Sequence, residues 1–98
     1  FFGHQIVAHK VDAHAMTDAT SLVDGKNVPV RHFGVVTDLS TWHALADRFR
    51  AAGVDFVIEP YVRFEGEPGE QATMFFLDPA GNALEIKAMR DPANLFAK

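Results

Sequence analysis

Between His32 and Met89 the spacing of apolar residues changes from two to 3.6 and back to two, and this alternation leaves few folds open to the chain. His32-Phe33-Gly34-Val35-Val36-Thr37 reads as a strand. Asp38 or Ser40 can then cap a helix in which Trp42, Leu45, Ala46 and Phe49 line one side. Gly53 ends that helix by taking a left-handed conformation. Val54, Phe56 and Ile58 alternate in a further strand that should stop at Pro60, with Tyr61 to Phe64 continuing as an extended edge. A polar loop, Glu65 to Glu70, precedes a strand from Thr73 to Leu77. Asp78-Pro79-Ala80-Gly81 is a turn, and Ala83 to Met89 is the last strand. The unit over 32–89 is therefore β-α-β-β-β, of the α+β class.

The chain outside this unit is less regular. Phe1 to Lys10 reads as a strand with Gln5, Val7 and His9 on one side. Residues 11–31 carry Asp12, Asp18, Ser21, Asp24, Gly25, Lys26, Asn27 and Pro29 without apolar periodicity, and are expected to form a linker. Residues 90–98 form a tail that lays Leu95 and Phe96 on some surface. The chain opens at Phe1 in a strand-like run rather than a polar, frayed one, so it reads as a fragment.

Composition removes several classes of function. Ninety-eight residues, 48% of them apolar, make one small domain at most. No cysteine is present, which excludes disulfides, thiolate metal sites and cysteine nucleophiles. A net charge of −4 argues against nucleic acid or an anionic membrane surface as partner. No apolar run nears the ~20 residues needed to cross a bilayer. A cytoplasmic protein is the default expectation.

Two residues sit oddly in their own segments. His32 opens an apolar run, and Glu85 stands between Leu84 and Ile86 inside another. A carboxylate there is costly unless it meets solvent, a cation or a metal. Histidine on a second strand is a natural co-ligand for a divalent metal. Alternation puts Glu85 with Ala83 and Lys87 on the side away from the helix. Other readings stay open at this point. His32 could bond a backbone carbonyl, and Glu85 could pair with Lys87 or Arg63 on a solvated sheet face. His9, Tyr61, Arg63, Gln71 and Thr73 are candidate substrate-binding residues, the last four as a pocket rim. Phe75 and Phe76 point to opposite faces, so one belongs to the core and the other to the site.

His32-Phe33-Gly34-Val35-Val36, Ala52-Gly53-Val54 and the stretch Phe75-Phe76-Leu77-Asp78-Pro79-Ala80-Gly81-Asn82-Ala83-Leu84-Glu85 together resemble the vicinal oxygen chelate superfamily. That superfamily holds glyoxalases, bleomycin-resistance proteins and extradiol dioxygenases. The resemblance implies paired βαβββ modules forming a cupped mixed sheet around a divalent metal. It makes His32 and Glu85 metal ligands and Phe1 to Lys10 the last strand of a truncated first module. Gly3 to His9 echoes Gly81 to Lys87, which sets Val7 where Glu85 stands, so no ligand comes from that position. The family's first-module histidine would lie upstream of Phe1.

A 2-His-1-carboxylate set favours Fe2+, with Mn2+, Ni2+ or Zn2+ as alternatives. The implied function is a metal-dependent enzyme on a small oxygen-rich substrate, dioxygenase type preferred over glyoxalase-like lyase. The alternative is a non-catalytic binder of the bleomycin-resistance kind. Open sheet edges imply a homodimer.

Overall fold

The computed structural model describes residues 3–8, 10, 20–29 and 31–96, in two compact units, 1–31 and 32–98. In the second unit the order is β3 (Phe33–Thr37), α1 (Leu39–Ala51), β4 (Phe56–Arg63), β5 (Gln71–Leu77), β6 (Ala83–Met89) and a 3-10 helix (Pro92–Phe96). The first unit contains β1 (Thr20–Val23) and β2 (Lys26–Pro29). Among the described residues no helix is long and apolar enough to cross a membrane.

The second unit is the expected βαβββ module. Its sheet runs β3-β6-β5-β4, with β3 parallel to β6 and the remaining neighbours antiparallel. A parallel pair needs a crossover, and α1 begins that connection. Of the two candidate caps, Asp38 takes the role. Its Oδ1 accepts the Thr41 N–H at 2.7 Å and its Oδ2 the Thr41 hydroxyl at 2.7 Å. These two bonds hold the Asp38 carboxyl below the usual aspartate range.

The apolar stripe of α1 lands on one face of the sheet. Trp42 and Ala46 pack with Ala72, Met74 and Ala88 in a fully buried cluster, bordered by Leu39, Leu45, Phe49, Phe56, Val62 and Ile86. The Trp42 indole N–H donates to the Ile86 carbonyl at 2.9 Å, which ties the helix to β6 beside Glu85. Phe76 meets Phe49 edge-on at 5.1 Å, so it is the core member of the Phe75–Phe76 pair.

Strand starts move by one or two residues, with β3 beginning at Phe33, β4 at Phe56 and β5 at Gln71, and three larger differences from expectation stand out. The strand expected from Phe1 to Lys10 is not found among the described residues. Gly3 and His4 lie in a turn, residues 5–8 have no ladder, and Ile6 and Val7 are exposed. An alternating run becomes a strand only when another strand takes up its backbone groups.

The linker expected over 11–31 instead contains the β1–β2 hairpin, paired from Thr20↔Pro29 to Val23↔Lys26. Asp24 and Gly25 have φ of 51° and 74°, the pair of positive angles that a two-residue hairpin turn demands. Asp-Gly next to Leu22-Val23 was the local signal for it. Finally, β4 runs through Pro60 to Arg63 rather than stopping there. It lies at a sheet edge and shifts register on both sides of Ile58, where a residue without an N–H costs little.

Candidate metal and substrate site

The site is assembled on the sheet face that α1 leaves uncovered. The β5–β6 register sets Phe75 beside Glu85 and Thr73 beside Lys87, and the β3–β6 register sets Gly34 beside Glu85. A tight turn maintains this register. Asp78 Oδ1 accepts the Ala80 and Asn82 backbone N–H groups at 2.9 and 2.8 Å, and Oδ2 accepts the Asn82 side-chain amide at 2.8 Å. A one-residue slip would turn Glu85 into the core.

Gly34 determines how closely β3 approaches. A Cβ at this position would lie 1.7 Å from the Glu85 carbonyl oxygen, so no other residue fits without moving the strand. The close approach carries His32 to Glu85, with 3.4 Å between His32 Nε2 and Glu85 Oε2. The His32 ring also meets Phe75 edge-on at 4.9 Å, which limits its rotation.

The other oxygen of Glu85 is committed elsewhere. Oε1 accepts the Thr73 hydroxyl at 2.6 Å and lies 3.8 Å from Lys87 Nζ. Burial pushes the Glu85 pKa up. The hydrogen bonds from His32 and Thr73, with the Lys87 charge, outweigh that and leave it below the ordinary glutamate value. Glu85 is therefore an anion at neutral pH. Its two oxygens are distinct, with Oε1 held by the protein and Oε2 turned toward the imidazole.

Of the five substrate-binding candidates, four share the Glu85 face. Tyr61 pairs with Thr73 and Arg63 with Gln71 across β4 and β5, in the same registers that carry Lys87 and Met89 on β6. His9 lies outside the described residues. Thr73, expected on the pocket rim, is instead 4% exposed and spends its hydroxyl on Glu85. Lys87, one of the two counter-ions the sequence offers for Glu85, lies with its Nζ 3.8 Å from Glu85 Oε1. No local signal in the sequence marks Phe75 as the ring partner of His32. Only the strand order reveals it.

An imidazole nitrogen and a carboxylate oxygen are suitable donors for a divalent transition metal. Two such donors, each about 2.1 Å from a tetrahedral centre, stand about 3.4 Å apart. The His32–Glu85 separation fits that value. Among the described residues no group of three or more His, Asp, Glu or Cys side chains converges.

A solved structure described as a glyoxalase/bleomycin resistance protein/dioxygenase from Alicyclobacillus acidocaldarius is similar to this chain. It is 31% identical with a TM-score of 0.57, over 67% of this chain and 51% of that one. The chain thus spans about half the length of that structure. No family model matches the chain, and no curated protein matches it.

Proposed function

Because this chain belongs to the vicinal oxygen chelate superfamily, we propose that its βαβββ module is part of a metal-dependent enzyme in which His32 and Glu85 are ligands. Its substrate is a small molecule bound through two neighbouring oxygens. The observation that carries this reading is the 3.4 Å pairing of His32 Nε2 with Glu85 Oε2, on a face where Oε1 is separately held by Thr73. A bound divalent cation would supply Lewis-acid stabilisation of negative charge on the substrate oxygens.

The chain's own residues prepare the place. Thr73 fixes the carboxylate so that Oε2 alone is presented, Phe75 restrains the imidazole, and Gly34 lets the two ligands meet. Buried Phe75 lies beside Glu85 on this face, and buried Ile58 lies beside Phe75 one strand further on. A third ligand from a second module would complete a 2-His-1-carboxylate set with open positions. This set favours Fe2+ and a dioxygenase-type reaction.

The edge strand β3 leaves Phe33, Val35 and Val36 exposed, and such an edge suits pairing with a second copy of the chain. Light scattering over a concentration series is expected to show a dimer.

Elemental analysis of purified protein tests the ligand assignment. Stoichiometric Fe, Mn, Ni or Zn is expected, with His32→Ala and Glu85→Ala each lowering it while the circular dichroism spectrum is kept. Unchanged metal content in both variants would overturn the assignment. A folded protein that binds its small molecule without metal would point to the sequestering role instead.

A further inference from the structure

We infer that Thr73 keeps Glu85 a one-oxygen ligand and so turns this site away from calcium-like ions toward small transition-metal dications, an inference that rests on the ligand assignment above. The two carboxylate oxygens meet different surroundings. Oε1 accepts the Thr73 hydroxyl at 2.6 Å and has the Lys87 ammonium 3.8 Å away, so a donor and a cation share it. Oε2 faces His32 Nε2 at 3.4 Å, the longer contact of the two sides. The carboxylate is held tightly by one oxygen and loosely by the other.

Thr73 is well placed to hold it. Register sets Thr73 between Tyr61 on β4 and Lys87 on β6, and the residue is 4% exposed. Its β-branched side chain has few rotamers open to it on a strand, so the backbone largely fixes where the hydroxyl points. A hydroxyl donating to a carboxylate makes a short, charge-assisted bond. Turning Glu85 so that both oxygens addressed one cation would take the acceptor from this hydroxyl, in a place where little water can replace it.

The number of oxygens a carboxylate offers sorts metals. Ca2+ gathers about six to eight oxygens and takes carboxylates through one or both of theirs, whereas Zn2+ is content with about four donors and a single carboxylate oxygen. The imidazole of His32 favours the same class of ion. A carboxylate held to one oxygen also leaves a further coordination position for the second oxygen of a chelated small molecule.

The test measures Zn2+ and Ca2+ affinities of the full chain by calorimetric titration, counting only the binding that Glu85→Gln removes. The wild type is expected to take Zn2+ and to hold Ca2+ far more weakly. Thr73→Val keeps the shape, removes the hydroxyl, and should raise the ratio of Ca2+ to Zn2+ affinity about tenfold. Thr73→Ser should keep the wild-type ratio. A side chain that only stiffened the sheet would weaken both ions together and leave the ratio alone. The wild type gives a second reading. Infrared difference spectra on Zn2+ loading, with Glu85→Gln as the blank, should show the wide separation of carboxylate stretches that one-oxygen ligation produces. Equal affinities for the two ions in the wild type, an unchanged ratio in Thr73→Val, or a narrow two-oxygen separation would overturn the inference and leave the ligand assignment standing. Zn2+ binding that Glu85→Gln does not reduce would overturn the ligand assignment and this inference with it.

Discussion

Strands β3 and β5 have similar compositions and opposite fates. Both are short, apolar and rich in residues that favour extended structure. In β5, Met74 is 0% exposed and its neighbours Ala72, Thr73 and Phe75 are buried with it. In β3, Phe33 is 65% and Val35 61% exposed. The difference comes from position. β5 lies between two strands and under α1, whereas β3 is an edge strand held on one side by β6. Hydrophobicity qualifies a strand for burial, and the order of strands in the sheet decides whether burial happens. Each strand also serves the site accordingly: β5 supplies the rigid supports Thr73 and Phe75, and β3 leads from His32, which it delivers to the rim of the sheet.

The largest expected effect tests this contrast directly. Met74→Ala leaves a cavity under α1 and should cost about 2–5 kcal/mol in chemical denaturation. Val35→Ala, which removes methyl groups from an exposed position, should stay within about 0.5 kcal/mol. Equal losses would mean that β3 is as covered as β5 in solution.

Gly34→Ala comes next. The added methyl meets the Glu85 carbonyl and must push β3 away from β6, at a cost of about 1–3 kcal/mol. Hydrogen exchange should quicken at the β3 amides and not at those of β5. Metal affinity should fall as well, because His32 moves with the strand.

Thr73→Val tests β5 as a support with hardly any change of shape. It leaves a buried carboxylate oxygen one donor short and should cost about 1–2 kcal/mol, with Thr73→Ser close to wild type.

The smallest effect is in pH dependence. The Glu85 pKa is lowered from 4.5 in the folded chain, so its contribution is complete above that value and disappears as pH falls through the folded pKa. The stability gap between wild type and Glu85→Gln should therefore narrow on acidification, as followed by urea melts across the acid range. A gap that widens there would contradict the ion-pair environment described for Glu85.

Much of this protein was determined by short stretches of sequence. The Asp38 cap, the Trp42–Phe49 stripe, the Asp78 turn and the side on which Glu85 emerges all follow from dihedral preferences and from periods of 3.6 and two. The Asp24-Gly25 hairpin belongs with them, since its turn residues announce it. Tertiary structure alone decided the rest. Whether the run before Lys10 forms a strand depends on a ladder partner, and an alternating pattern carries no information about its neighbour. The same holds for the parallel docking of β3 on β6, which brings His32 to Glu85, for the Phe75 edge against the imidazole and for the exposure of Val35. Local conformation is selected residue by residue through sterics. Partners, edges and buried contacts are selected by how the whole module shares one core, so they emerge only when the strands are in order.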